Sequence, residues 1–234
     1  MGTDIDLYVE KRNAKGEWEL LFPSPDMAEQ LHGKWGKDQD YGPDKMSGWA
    51  WYSQRNYVLF ALLANVRNRF GIESPWKYRG MPADSQLTEN DSERYGHSTS
   101  HVTLRELLDY DWDTGIFESG WVSTLSYQEF KEKGAPSSYS QGVGGGNVKQ
   151  ITNEEMDELF VNGTLVETPF PTKDLPDRTF WTSTDDNSYF TKVEWRESMR
   201  DACGSFLTWT LPALKEFTKG TDPANVRLTY WFDC

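Results

Sequence analysis

The segment from Tyr57 to Phe70 constrains the fold more than any other. Leu59, Leu62, Leu63, Val66 and Phe70 make one apolar stripe at helical spacing, and Tyr57, Phe60, Ala61 and Ala64 make a second. A helix apolar on both sides has no face to offer water, so the pattern predicts a buried central helix. Gly71 is its expected C-terminal stop.

The chain ends supply material to enclose it. Between Asp4 and Arg12, Ile5, Leu7 and Val9 alternate with Asp4, Asp6, Tyr8 and Glu10, as in a half-buried strand. Asn13-Ala14-Lys15-Gly16 reads as a turn, and Glu17 to Phe22 as a return strand. Val226 to Phe232 has apolar residues at every even position and predicts a buried strand at the C-terminus. Tyr189 to Trp195 reads as another strand, followed by a helix over Arg196 to Leu207 that Pro212 ends or kinks. Thr103-x-x-Glu106, Ser126-x-x-Glu129 and Thr152-x-x-Glu155 are capping boxes that open short helices. These signals together predict an α+β fold with a mainly antiparallel sheet, N- and C-terminal strands, one buried central helix and several short capped helices. No linker interrupts the pattern, so residues 1–234 are expected to form a single domain with long loops at about 23–48, 80–101 and 134–148. The last of these, with Gly144-Gly145-Gly146 at its centre, is expected to be mobile and lid-like.

The longest apolar run, Val58 to Ala64, is far short of the roughly 20 residues a membrane span needs, so no membrane is expected as a partner. Met1-Gly2-Thr3-Asp4 runs straight into the first strand without the apolar stretch of a signal peptide, and Asp6 stands where myristoylation wants Ser or Thr. Two cysteines, Cys203 and Cys234, cannot make a disulfide framework, and reduced thiols in a cytoplasmic protein are expected. The formal net charge of −13 disfavours a long nucleic acid as a partner. Yet Arg55 to Arg105 holds seven basic and five acidic side chains, which leaves −15 on the remainder.

Within that positive stretch lie the candidate ligand-binding residues Arg55, Asn56, Arg79, Gly80, His97, Ser98 and His101. Arg55 and Asn56 stand at the start of the central helix, where free amides and the helix dipole already favour an anion. The plainer reading of Arg55 is an ion pair with a carboxylate, and Arg67 and Arg69 near the helix end read as structural. Gly80 in Arg79-Gly80-Met81-Pro82 permits close backbone approach to a ligand, although an ordinary turn fits as well. His97 and His101 lie in a hydroxyl-rich loop that suits phosphate binding or acid–base work. Should the protein be an enzyme, His97 with Asp4 and Asp6 are the candidate catalytic residues. A metal is not expected, since Ser-Thr-Ser between the histidines is poor helix-forming sequence and would not bring both rings to one side. Asp109-Tyr110-Asp111-Trp112-Asp113 reads as a solvated turn. Trp49-Ala50-Trp51-Tyr52 and Trp231-Phe232 suit either the core or stacking on a nucleobase. No Gly-x-Ser-x-Gly, His-Glu-x-x-His or dinucleotide glycine fingerprint occurs, and no cofactor is expected.

The chain resembles a family of uncharacterised phage and phage-associated bacterial proteins. The likeness rests on Met1-Gly2-Thr3-Asp4-Ile5-Asp6, on Arg55-Asn56-Tyr57 with the helix that follows, on Arg79-Gly80-Met81-Pro82, and on Gly96-His97-Ser98 leading into Thr103-Leu104-Arg105-Glu106-Leu107-Leu108-Asp109-Tyr110-Asp111-Trp112. It covers most of residues 1–112 and the final strand. The family pattern has His where this chain has Asp6 and Thr99, and Trp where it has His101, which weakens any metal site carried over from it. The resemblance implies a phage context, with the host cytoplasm as location, and no activity. Three functions follow, in order of preference. One is a phage accessory, counter-defence protein binding a small phosphorylated, nucleotide-like molecule. A second is a nucleotide or phosphoester hydrolase. The third is an acidic, nucleic-acid-mimicking inhibitor of a host protein.

Overall fold

A computed structural model describes residues 2–34, 50–87, 96–169 and 179–233. Trp49 and Cys234, which figured in the expectations, and most of the loop expected at about 23–48 lie outside these ranges. The fold is α+β, as the two strand-forming termini and the capped helices require. It divides into two compact units, the first built from Met1–Thr114 with Ser198–Cys234 and the second from Gly115–Glu197. The second unit is inserted between two segments of the first, and no Gly- or Pro-rich linker marks either crossing.

The first unit is organised by a four-stranded sheet in the order β2 (Trp18–Leu21), β1 (Asp4–Arg12), β9 (Val226–Asp233), β3 (His97–Thr103). All three pairings are antiparallel. Ile5, Leu7 and Val9 share one face with Phe232, Tyr230 and Leu228, opposite which they lie in register. Against that face packs the central helix, here α2 (Tyr57–Ala64), with seven of its eight residues buried. Phe60 meets Phe232 edge to face with ring centroids 5.0 Å apart, and the Tyr230 hydroxyl donates to the Leu63 carbonyl at 3.0 Å. Trp51, Trp231 and Phe232 are all buried and belong to the core rather than to an exposed stacking platform.

Several local expectations change. Helix α2 stops at Ala64, not at Gly71, because Asn65 takes the left-handed conformation (φ 61°) and returns its N–H to Ala61. Arg67 and Arg69 therefore lie beyond the helix, where Arg67 donates to the Thr3 hydroxyl at 2.9 Å and Arg69 stacks on Phe70. His97 to His101 form an edge strand, not a loop, with a bulge between His97 and Ser100 where Ser98 has φ 56°. The helix expected over Arg196–Leu207 is strand as far as Ser198, then α6 (Met199–Ala202), a π-turn (Phe206–Thr210) and α7 (Leu211–Phe217). Pro212 in the first turn of α7 explains the π-turn before it, since its ring clashes with the carbonyl four residues back and removes the next donor.

The second unit contains a three-stranded sheet in the order β4 (Gly115–Ser123), β8 (Ser188–Ser198), β5 (Val148–Ile151), and a hairpin of β6 (Leu165–Pro169) with β7 (Thr179–Ser183). The β5–β8 pair is parallel. Helices α4 (Thr124–Lys133) and α5 (Asn153–Val161) complete a small core around Val122, Tyr127, Met156, Leu165, Val193 and Trp195. The box at Thr152 and Glu155 caps α5 as expected, and so does that at Thr103 and Glu106 for α3 (Leu104–Asp109). The Ser126 box does not form, because Ser123 at the end of β4 already caps α4 three residues earlier. The glycine-rich loop is pinned midway, where Ser140 and Trp121 exchange two 2.8 Å backbone hydrogen bonds.

Candidate functional site

The sheet places most of the sequence-predicted residues, and most of them prove to be occupied by the protein itself. The Arg55 guanidinium meets the Asp4 carboxylate through two hydrogen bonds, 2.5 Å from Nε and 2.6 Å from Nη2. Its hydrogen bond, followed by its charge, holds the Asp4 carboxyl below the ordinary carboxylate range. Gly2 belongs to this arrangement, since an added Cβ there would overlap the Arg55 guanidinium. Asn56 caps α2, accepting from Leu59 N–H at 2.9 Å and donating to the Ala202 carbonyl at 2.7 Å.

Arg79 is committed in the same way. It forks onto Glu106 at 2.8 and 3.1 Å, and Glu106 also accepts from the Thr103 N–H and hydroxyl at 2.8 and 2.9 Å. Partial burial pushes the Glu106 carboxyl up, but the Arg79 hydrogen bonds, the Thr103 donors and the Arg79 charge outweigh it and hold the pKa at about 2. A carboxyl depressed in the folded state stabilises the fold above its unfolded pKa, and that contribution is lost as pH falls from about 4.5 through about 2. The melting-temperature difference between wild type and Glu106→Gln should accordingly be full at neutral pH and shrink towards zero across that window. The Gly80 carbonyl accepts from His101 Nδ1 at 3.1 Å, so the Arg79–Pro82 segment is a strap laid on β3.

His97 and the aspartates do not form a dyad. His97 pairs with Phe232, which pairs with Ile5, whereas Asp4 and Asp6 flank that row and point from the opposite side of the pleat. Strand β9 also lies between them. His97 Nδ1 instead sits 2.9 Å from the Ser98 hydroxyl, and Gly96 before it lets the Trp231 ring pass where a Cβ would clash. Burial, then the carboxylates of Asp233 and Asp4, push the Asp6 carboxyl upward. Among the described residues no group of three His, Cys, Asp or Glu side chains is placed to hold a metal ion.

Sequence reading missed the most buried charges of the unit. Glu10 on β1 is fully enclosed and receives Arg227 Nε at 2.8 Å, Ser85 Oγ at 2.8 Å, Gln86 N–H at 3.0 Å and Thr229 Oγ1 at 3.2 Å. Arg227 reaches on to Asp84 at 2.6 Å and lies 4.0 Å over the Trp18 ring. The alternating pattern of β1 had assigned Glu10 to water. Nothing local tells that residues 84–86 fold over that face.

The second unit holds a cleft of about 500 Å³, within the range of small-molecule sites. Phe180, Trp181, Tyr189 and Phe190 supply rings, and hydroxyls come from Ser123, Thr124, Thr182, Ser183 and Ser188. Asp186 and Asn187, on the turn between β7 and β8, add a carboxylate and an amide, and among the described residues no Lys, Arg or His lines the cleft. Trp181 is held edge-on against Phe160 at 4.6 Å, so its ring is fixed before a ligand arrives. The turn itself is braced by Tyr189, whose hydroxyl donates to Asp185 at 2.5 Å. Comparison of the chain with protein-family models, with curated proteins and with solved structures finds no match.

Proposed function

We propose that the protein binds a small, uncharged or cationic polar molecule with one flat face, in the cleft of the second unit. One observation carries this reading: among the described residues, four aromatic rings, hydroxyls of Ser and Thr, an amide and a carboxylate line a ligand-sized cleft, and no cation does. Rings offer stacking to a sugar or nucleoside face and attraction to a cation, and the hydroxyls and amide fix orientation. Among the described residues an anion would find Asp186 and no countercharge, and Arg55 and Arg79, which suggested a phosphate site, are each paired with a carboxylate. This proposal stays within the ligand-binding class expected from the sequence but takes a neutral or cationic ligand in place of an anionic one.

The test is calorimetry against neutral oligosaccharides, nucleosides, quaternary ammonium compounds and nucleotides. Trp181→Ala should weaken binding of the active class about tenfold, or about 1.4 kcal/mol. Asp186→Asn, tolerated because Asn accepts the left-handed backbone there (φ 59°), should weaken cations and leave neutral ligands unchanged. Binding confined to nucleotides, lost in Arg79→Ala and indifferent to Trp181, would refute the cleft and restore the anionic reading.

A further inference from the structure

We infer that Ser53 and His32 form a nucleophile–base pair for acyl transfer, a site in the first unit that is independent of the cleft. His32 ends helix α1 (Pro25–His32), and its ring spans two partners on the segment after residue 49. Nε2 lies 2.9 Å from the Ala50 carbonyl oxygen and Nδ1 lies 3.2 Å from Ser53 Oγ. A carbonyl can only accept, so Nε2 carries a proton, and in the singly protonated ring the Nδ1 lone pair faces the serine. Ser53 then donates its hydroxyl proton to a base that a third group holds in orientation, which is the arrangement an activated serine requires.

The surroundings suit the chemistry. Ser53 and His32 line one nook together with Tyr52, Gln54, Ser205 and Trp209. Its volume of about 10 Å³ admits one water-sized group, such as a carbonyl oxygen. The Tyr52 hydroxyl is buried near the Ser205 hydroxyl, which donates to Gln54 at 2.7 Å. Burial raises the tyrosine's pKa to about 12, so its O–H stays protonated at neutral pH. Trp209, more than half exposed on the π-turn, gives the rim an apolar surface.

The substrate class is an ester with a small acyl group. Ser53 Oγ bonds to the carbonyl carbon as its proton passes to His32 Nδ1. The bond to the leaving oxygen then breaks and the alcohol departs with that proton. Water, deprotonated by the same nitrogen, cleaves the acyl-serine to the carboxylic acid and restores Ser53.

p-Nitrophenyl acetate is the probe, with nitrophenolate release followed by absorbance and the acyl adduct located by peptide mass mapping. Wild type should release nitrophenolate faster than protein-free buffer and carry the acetyl group on Ser53. His32→Gln should slow release by about 10²–10⁴-fold, the range for losing a positioned base. Ser53 is exposed, so Ser53→Ala should keep the melting temperature while abolishing the adduct. Release no faster than buffer, or an undiminished rate in Ser53→Ala with acetyl groups on lysines, would overturn the assignment.

Discussion

Arg227→Met is expected to lower stability by about 3–5 kcal/mol, the range for leaving a buried charge without its partner. The residue is central to the polar face of the first sheet. Its side chain is 5% exposed and that of Glu10 is 0% exposed. Removing the guanidinium leaves the Glu10 carboxylate with only the neutral donors of Ser85, Gln86 and Thr229. It also takes the Arg227 hydrogen bond from Asp84 and the nearer guanidinium from the Trp18 ring, so the strand β1 and the 84–86 segment lose a shared anchor. Glu10→Gln in the same chain should recover part of the loss, since it removes the stranded charge. Urea melts of both single variants and the double one measure the coupling. A loss below about 1 kcal/mol in Arg227→Met would mean that water reaches this pair in solution.

Truncation of the central helix is expected to cost nearly as much. Leu62 and Leu63 are 0% exposed, and Leu→Ala at such positions removes about 2–5 kcal/mol, more where the cavity cannot collapse. Collapse is hindered here because the helix packs on a sheet face already filled by Phe232, Tyr230 and Leu228. Tyr230 is tethered to the Leu63 carbonyl and cannot easily follow the shortened side chain. Val161, 88% exposed at the end of α5, provides the contrast and should change by about 0.5 kcal/mol or less on truncation to Ala. Similar small losses at all three positions would place the helix at the periphery.

Residue by residue, what was legible in the sequence was what nearest neighbours along the chain decide. Period-two alternation identifies β1 and β9, because side-chain direction in a strand depends only on position. Two of three capping boxes hold, because a Thr hydroxyl and a Glu three residues on need no distant partner. The enclosed helix follows from having no polar side, although its end at Asn65 depends on a backbone conformation that Gly71 had seemed better suited to adopt. Partnership was decided elsewhere. Arg55 and Asp4 are 51 residues apart, Arg79 and Glu106 27, and Glu10 and Arg227 217. In a chain with 37 acids, composition makes a carboxylate partner for Arg55 easy to expect but does not say which one. His32 escaped notice because a lone histidine at a helix end has no signature, and its relation to Ser53 exists only once the chain turns back at Ala50. The cleft is in the same position, its lining drawn from residues 123–125, 165 and 180–190. Local geometry is written in short-range sterics and hydrogen bonds, whereas a site needs strand order and register, which long-range packing alone selects.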